Sequence, residues 1–204
     1  MALVAARESP GRAFLEALLR PYAQIVFSND WPVGALVLAA IACTPGLALA
    51  TLGAVAVAGV GTLLFGMGVP AVRAGGIGCI AVLTTLALTA FAPGGGSPVP
   101  AIVFGGLLSV LFAASFQAVF ANVALPTHAL PFIAATWVVH LALRAMPASG
   151  SFANLLQPAA WLPADLWQPS WLDVPAAIVF GHGMVPGALI LLAILVYSRI
   201  GFLL

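Results

Sequence analysis

The sequence predicts an all-α integral membrane protein of five to six transmembrane helices with half-spanning segments, arranged as one complete and one truncated unit of an inverted repeat. Three observations predict it. The 204 residues are 63% hydrophobic with only 5% charged and no lysine, whereas a soluble domain of this length needs about a quarter of its residues charged. Proline and glycine clusters cut the apolar sequence into segments of helical length. The stretch AQIVFSNDWPVGALVLAAIA at Ala23 to Ala42 returns 153 residues later as AAIVFGHGMVPGALILLAIL at Ala176 to Leu195, with 10 of 20 positions identical. A return at fixed spacing marks a duplicated unit.

Taken in order, residues 1–21 predict an amphipathic segment at the cytoplasmic membrane surface. Ser9-Pro10 is a helix start, and Phe14, Leu15, Leu18 and Leu19 share a face while Arg12, Glu16 and Arg20 lie elsewhere. Pro21 is expected to end this helix. No continuous apolar region precedes it, so a cleaved signal peptide is not expected. Residues 22–146 form the first unit. Tyr22 to Asp30 is too short and polar to cross, and is read as entering the bilayer and stopping.

Five apolar segments follow, roughly Trp31 to Cys43, Gly46 to Gly66, Gly75 to Phe91, Val99 to Ala121 and His128 to Arg144. Gly53, Gly59, Gly61, Gly105, Gly106 and Ser109 predict close helix packing within them. Residues 147–173 alternate Trp161, Trp167 and Trp171 with Pro158, Pro163 and Pro169, the pattern of a loop held along the headgroup region by an aromatic belt. Residues 174–204 open the second unit, with a sixth crossing near Met184 to Leu204.

The span count sets the topology. An odd number of crossings in the first unit starts the second on the opposite side, so the two copies are inverted. Arg7, Arg12, Arg20, Arg73 and Arg199 then share one side and Arg144 lies on the other, which places the N-terminus in the cytoplasm of a cell whose inner membrane holds the protein.

The charge balance of +1 supplies no basic patch for nucleic acid. Cys43 and Cys79 stand in apolar surroundings and read as buried hydrophobes. His128, His140 and His182 lack the one-turn spacing of a metal site, and a membrane-embedded hydrolase using His128 or His140 is the weaker rival. Asp165 and Asp173 read as solvated loop residues. Asn29 and Asp30 precede a helix and read first as N-caps. Gln24 is either a solute contact or a helix-packing hydrogen bond. Phe27 and Phe180 are either core aromatics or walls of a slot.

The run AQIVFSNDWPVG resembles the segment opening each half of the urea transporter family. LPTHALPF at Leu125 to Phe132 resembles that family's Leu-Pro-x-x-Thr-x-Pro-Phe signature, and RAGGIGCIAVL at Arg73 to Leu83 resembles its Gly-x-x-Gly-x-Asn-Gly-x-Leu stretch. The resemblance implies two inverted halves around a selectivity filter, one per protomer of a homotrimer, passing urea without cofactor or covalent chemistry. Carried over, it makes Phe27 and Phe180 slot walls, Leu83 an apolar contact and Gln24 an oxygen that accepts from the solute's NH groups. Leu125, Pro126, Pro131 and Phe132 match the signature and Thr127 lies within it, all five as candidate pore residues; Pro126 and Pro131 also read as setting a break in a helix. Ala129 stands where the signature has threonine, Ile80 and Ala81 where it has Asn-Gly, and Ala177 opposite Gln24. The second unit lacks a copy of either later motif, so a nonconducting half-transporter that needs a partner chain is the alternative.

Overall fold

The computed structural model describes residues 10–91, 98–122, 129–145, 155–160, 162–167 and 170–198. The described residues are helical, with no strand among them. In order they form α1 (Pro10–Ala23), α2 (Trp31–Ala42), α3 (Pro45–Leu64), α4 (Gly68–Ala74), α5 (Gly76–Phe91), α6 (Pro98–Ala121), α7 (Leu130–Ala145), α8 (Asp173–Ala176) and α9 (Met184–Tyr197). The prolines open helices here rather than breaking them. Pro32 and Pro45 sit in the first turns of α2 and α3, where the missing N–H has no intrahelical partner to lose.

Helices α3 and α6 are each long and apolar enough to cross a bilayer alone. Up to five spans result if each bent pair, α1 with α2, α4 with α5 and α8 with α9, counts as one; α7 is a shorter apolar helix of 16 residues. Many large apolar side chains face outward, among them Leu64, Phe104 and Val119. In water such a surface would aggregate; in lipid it is the expected exterior.

Three packing centres hold the described residues together, the third joining α5, α6 and α7 through Leu88, Ala101, Val139 and Leu143. In the first, α3, α5 and α6 close on small side chains, with Ala54, Ala58, Ala81, Val110 and Ala113 buried. Gly106 lets α6 approach so far that a Cβ there would stand 2.9 Å from Val57, and Thr84 and Ser109 share a hydrogen bond of 3.2 Å across the α5–α6 contact. Close packing is the main source of helix association where both surroundings are apolar. Gly53 departs from the expectation, since it meets nothing within 4 Å. The second centre packs α2 on α9. Val37 and Ile190, both fully buried, occupy equivalent positions of the two copies, as do Ala40 and Ala193. Equivalent surfaces meeting each other is the contact of a two-fold relation.

Pro21 does not end α1, which runs on to Ala23 and into a 3-10 turn at Gln24–Val26. Its ring lies over Gly78 of α5, where any Cβ would come within 2.7 Å. Glu16 of the polar face turns into the protein and Phe14 of the apolar face turns out, while Arg12 stays exposed and Leu19 is buried. Glu16 is buried, receiving Arg73 Nη2 at 2.6 Å, Arg12 Nε at 3.1 Å and Arg20 Nη2 at 3.4 Å. Arg20 also donates to the backbone oxygen of Arg73, so α1 is tied to α4, which lies between α3 and α5. The chain reverses there between α3 and α5, so Arg12, Arg20 and Arg73 gather at one end of the bundle. Cys43 and Cys79 are buried free thiols. Arg7 and Arg199, Trp161 and Pro169 lie outside the described residues.

Candidate functional site

The repeat in sequence is a repeat in backbone. After α1 the chain makes its 3-10 turn, breaks at residues 27–30 and starts α2 at a bend of 78°; after α8 it makes a 3-10 turn at Ala177–Val179, breaks at residues 180–183 and starts α9 at 77°. At each corner one phenylalanine takes the left-handed conformation, Phe27 at φ 60° and Phe180 at φ 54°. They are the non-glycine residues with positive φ among the described residues.

Hydrogen bonds explain the corners. Phe27 N donates to Gln24 O and Ser28 N to Ala23 O, both at 3.0 Å; Phe180 N donates to Ala177 O and Gly181 N to Ala176 O, also at 3.0 Å. This is the Schellman ending of a helix, whose left-handed position normally holds glycine. A side chain there costs about 1–2 kcal/mol. Both copies carry phenylalanine in spite of that cost, and strain held at matching corners points to a use for the ring.

The glycine that opens each new helix is equally fixed. A Cβ on Gly34 would lie 2.0 Å from the carbonyl oxygen of Leu19, and a Cβ on Gly187 would lie 2.0 Å from that of Leu172. The contacts themselves are 153 residues apart, so the repeat reaches back before the twenty aligned positions.

The two rings have different surroundings. Phe27 is 82% exposed. Phe180 is half-buried, edge-on to Phe91 with ring centroids 5.7 Å apart, and lines a cavity of about 520 Å3 between α5 and α7. Of the signature residues, Phe132 lines the same cavity and Pro131 is buried in the first turn of α7. Leu125, Pro126 and Thr127 lie outside the described residues, as does His128. Leu83 is half-buried against the α2–α9 core. The Gln24 amide nitrogen donates to Asn29 Oδ1 across the first break.

Asp30 occupies the N-cap position of α2 without making a side-chain cap; its N–H donates to Ser28 Oγ, and its backbone oxygen accepts from Val33 and Gly34 N–H. Asp173 is more than a solvated loop residue: its carboxylate accepts Gly183 N at 2.6 Å and Ser170 N at 3.0 Å, clamping the second break. His140 and His182 line different cavities and bring no common ligand set together. Reading the sequence did not single out Phe91, Thr136 or Trp137 as cavity walls. The signal was present in α7, where Phe132, Ile133, Thr136, Trp137 and His140 recur at helical spacing on one face.

A helical membrane protein built on two broken helices related by an internal repeat has the form in which transporters place their binding sites. The urea transporter family model matches residues 15–204, and the chain belongs to that family. No curated protein matches it.

Proposed function

We propose that this chain passes urea, or a similarly small neutral amide, passively across the inner membrane, with its N-terminus and arginine face in the cytoplasm. The observation that carries this reading is the pair of strained phenylalanines at equivalent corners of the two breaks. A flat, neutral solute rich in hydrogen-bonding groups needs aromatic or apolar faces to slide between and polar partners along its edge, because bare N–H groups in a dry pore are costly. Phe27 and Phe180 supply faces; Gln24 supplies an edge. Arg12, Arg20 and Arg73 gathered at one face support the orientation.

The exposure of Phe27 favours one second reading. Phe180 packs against Phe91 of α5 beside the cavity that α7 lines, whereas the equivalent place beside Phe27 is open, so under this reading the chain would conduct only with a second half-chain seated there. Urea efflux from proteoliposomes tests both. Under the first reading wild-type vesicles are faster than empty ones, and Phe27→Ala and Gln24→Leu slow them while the protein stays folded. Vesicles of the chain alone no faster than empty ones would reject that reading and leave the partner-dependent one.

A further inference from the structure

The arginine end of the bundle carries a constellation that solute passage does not use. Arg12, Arg20 and Arg73 converge on the buried carboxylate of Glu16, and Arg20 Nη2 and Arg73 Nη2 share its Oε2 at 3.4 and 2.6 Å. Along the sequence, Arg7, Arg12, Arg20 and Arg73 stand against Glu8 and Glu16, an excess of two positive charges at this end. The opposite end, with Arg144 against Asp165 and Asp173, has an excess of one negative charge.

The guanidinium groups are only partly enclosed. The Arg20 and Arg73 side chains each keep 29% of their surface exposed and Arg12 keeps 62%, although the Glu16 side chain that gathers them keeps 2%. Glu16 therefore holds the cations from behind and leaves their outer edges to the surroundings. Exposed apolar side chains stand one helical turn away: Leu15 three residues after Arg12, and Val69 four residues before Arg73, with Phe14 exposed beside Leu15. A soluble anion has no use for that apolar rim. A molecule with an anionic head and apolar tails matches both parts of it.

We propose that α1 and α4 form a binding surface for an anionic phospholipid, whose phosphate meets Arg12, Arg20 and Arg73 and whose acyl chains lie against Phe14, Leu15 and Val69. Arginine suits the head because its planar fork offers paired N–H groups to phosphate oxygens. Glu16 is a positioning residue: it fixes three flexible side chains beforehand, so less freedom is lost when the lipid binds. The lipid bridges two helices that Arg20 already ties together through the Arg73 carbonyl, so its binding stabilises the fold. The surface stands whether or not the chain passes urea.

Thermal unfolding of the full chain in neutral detergent, with added lipid, tests it. Phosphatidylglycerol should raise Tm with a saturable midpoint, and phosphatidylcholine of the same chains should not; equal shifts from the two lipids overturn the proposal. Inorganic phosphate at matched concentration should leave Tm unchanged, and a shift equal to that of the lipid would assign the arginines to a soluble anion instead. Arg12→Gln leaves Arg20 and Arg73 on Glu16 and should weaken the phosphatidylglycerol midpoint about fivefold, the weight of one arginine near an anionic surface. Arg144→Gln removes the same charge from the opposite end and should leave the midpoint unchanged. Equal weakening by both variants would show that the lipid follows net charge alone, and overturns the surface. If Arg12→Gln is not monodisperse on gel filtration, Arg12→Lys replaces it, keeping the charge and losing the fork; a midpoint unchanged in that variant overturns the surface as well.

Discussion

The two breaks share a left-handed phenylalanine corner and a bend of nearly the same angle, but they differ at the residue before the new helix, Asp30 at φ −88° and Gly183 at φ 95°, and in how that residue is pinned. At residues 27–30 the amide of Asp30 is satisfied locally, by the hydroxyl of Ser28 at 3.1 Å. At residues 180–183 the place of Ser28 is taken by Gly181, which has no side chain, and the equivalent amide of Gly183 is satisfied by Asp173 from the preceding helix. The residue equivalent to Asp173 in the first unit is Arg20, which reaches instead to Glu16 and to the backbone of Arg73. One corner is thus fixed by its own loop, and the other by a carboxylate ten residues upstream. What the duplication kept is the course of the chain and the close helix approach; what it let drift is the side chain that supplies the acceptor.

The largest effect expected from this comparison lies in the part that was kept. Gly34→Val and Gly187→Val drive a side chain into a carbonyl oxygen, and each should destabilise by about 3 kcal/mol or more, which in detergent would appear as lost monodisperse protein. Gly53→Ala, with open space around it, should leave Tm unchanged or slightly raised. Equal damage at all three positions would show that the close approach is not what fixes the breaks.

A smaller effect should separate the two pins. Ser28→Ala removes one neutral hydrogen bond and should cost about 1 kcal/mol. Asp173→Ala removes the acceptor of two amides and should lower Tm further than Ser28→Ala does. The reverse order in thermal unfolding would contradict the assignment of the second pin.

The smallest effects should have opposite signs at equivalent residues. Phe27→Gly relieves a left-handed side chain whose ring is mostly exposed, so stability should rise by about 1 kcal/mol. Phe180→Gly relieves the same strain but loses the ring contact with Phe91 and its buried area, so stability should fall by about 1 kcal/mol. Thermal shifts of the same sign would mean that the two rings are not differently engaged.

The longer helices α2, α3, α5, α6, α7 and α9 were legible because each begins at a proline or glycine cluster and continues as an apolar run, whereas α4 falls between two predicted segments, Gly46 to Gly66 and Gly75 to Phe91, and was not. The repeat was legible too, from residues such as Phe27 and Phe180 that the two copies have in common. The orientation of α1 was not legible. Its periodicity correctly separates Phe14 from Glu16, but in a membrane the buried face can be the charged one, and Arg73 lies 57 residues from the carboxylate it meets. The cavity beside Phe180 was half legible: Phe132 came from a motif, whereas Phe91 and Thr136 belong to it only because α5 and α7 pack side by side. Asp173 was misread for the same reason, since its partner Gly183 becomes its neighbour only when the chain turns back at the break.

The inverted relation of the two breaks is the central claim, and sidedness tests it most directly. Asn29 and His182 are equivalent residues of the two breaks. Single-cysteine variants Asn29→Cys and His182→Cys, in a background lacking Cys43 and Cys79, should react with a membrane-impermeant thiol reagent from opposite sides of the membrane: the first from the arginine face, the second from the Trp-rich face. Labelling of both positions from the same side would contradict the inverted repeat.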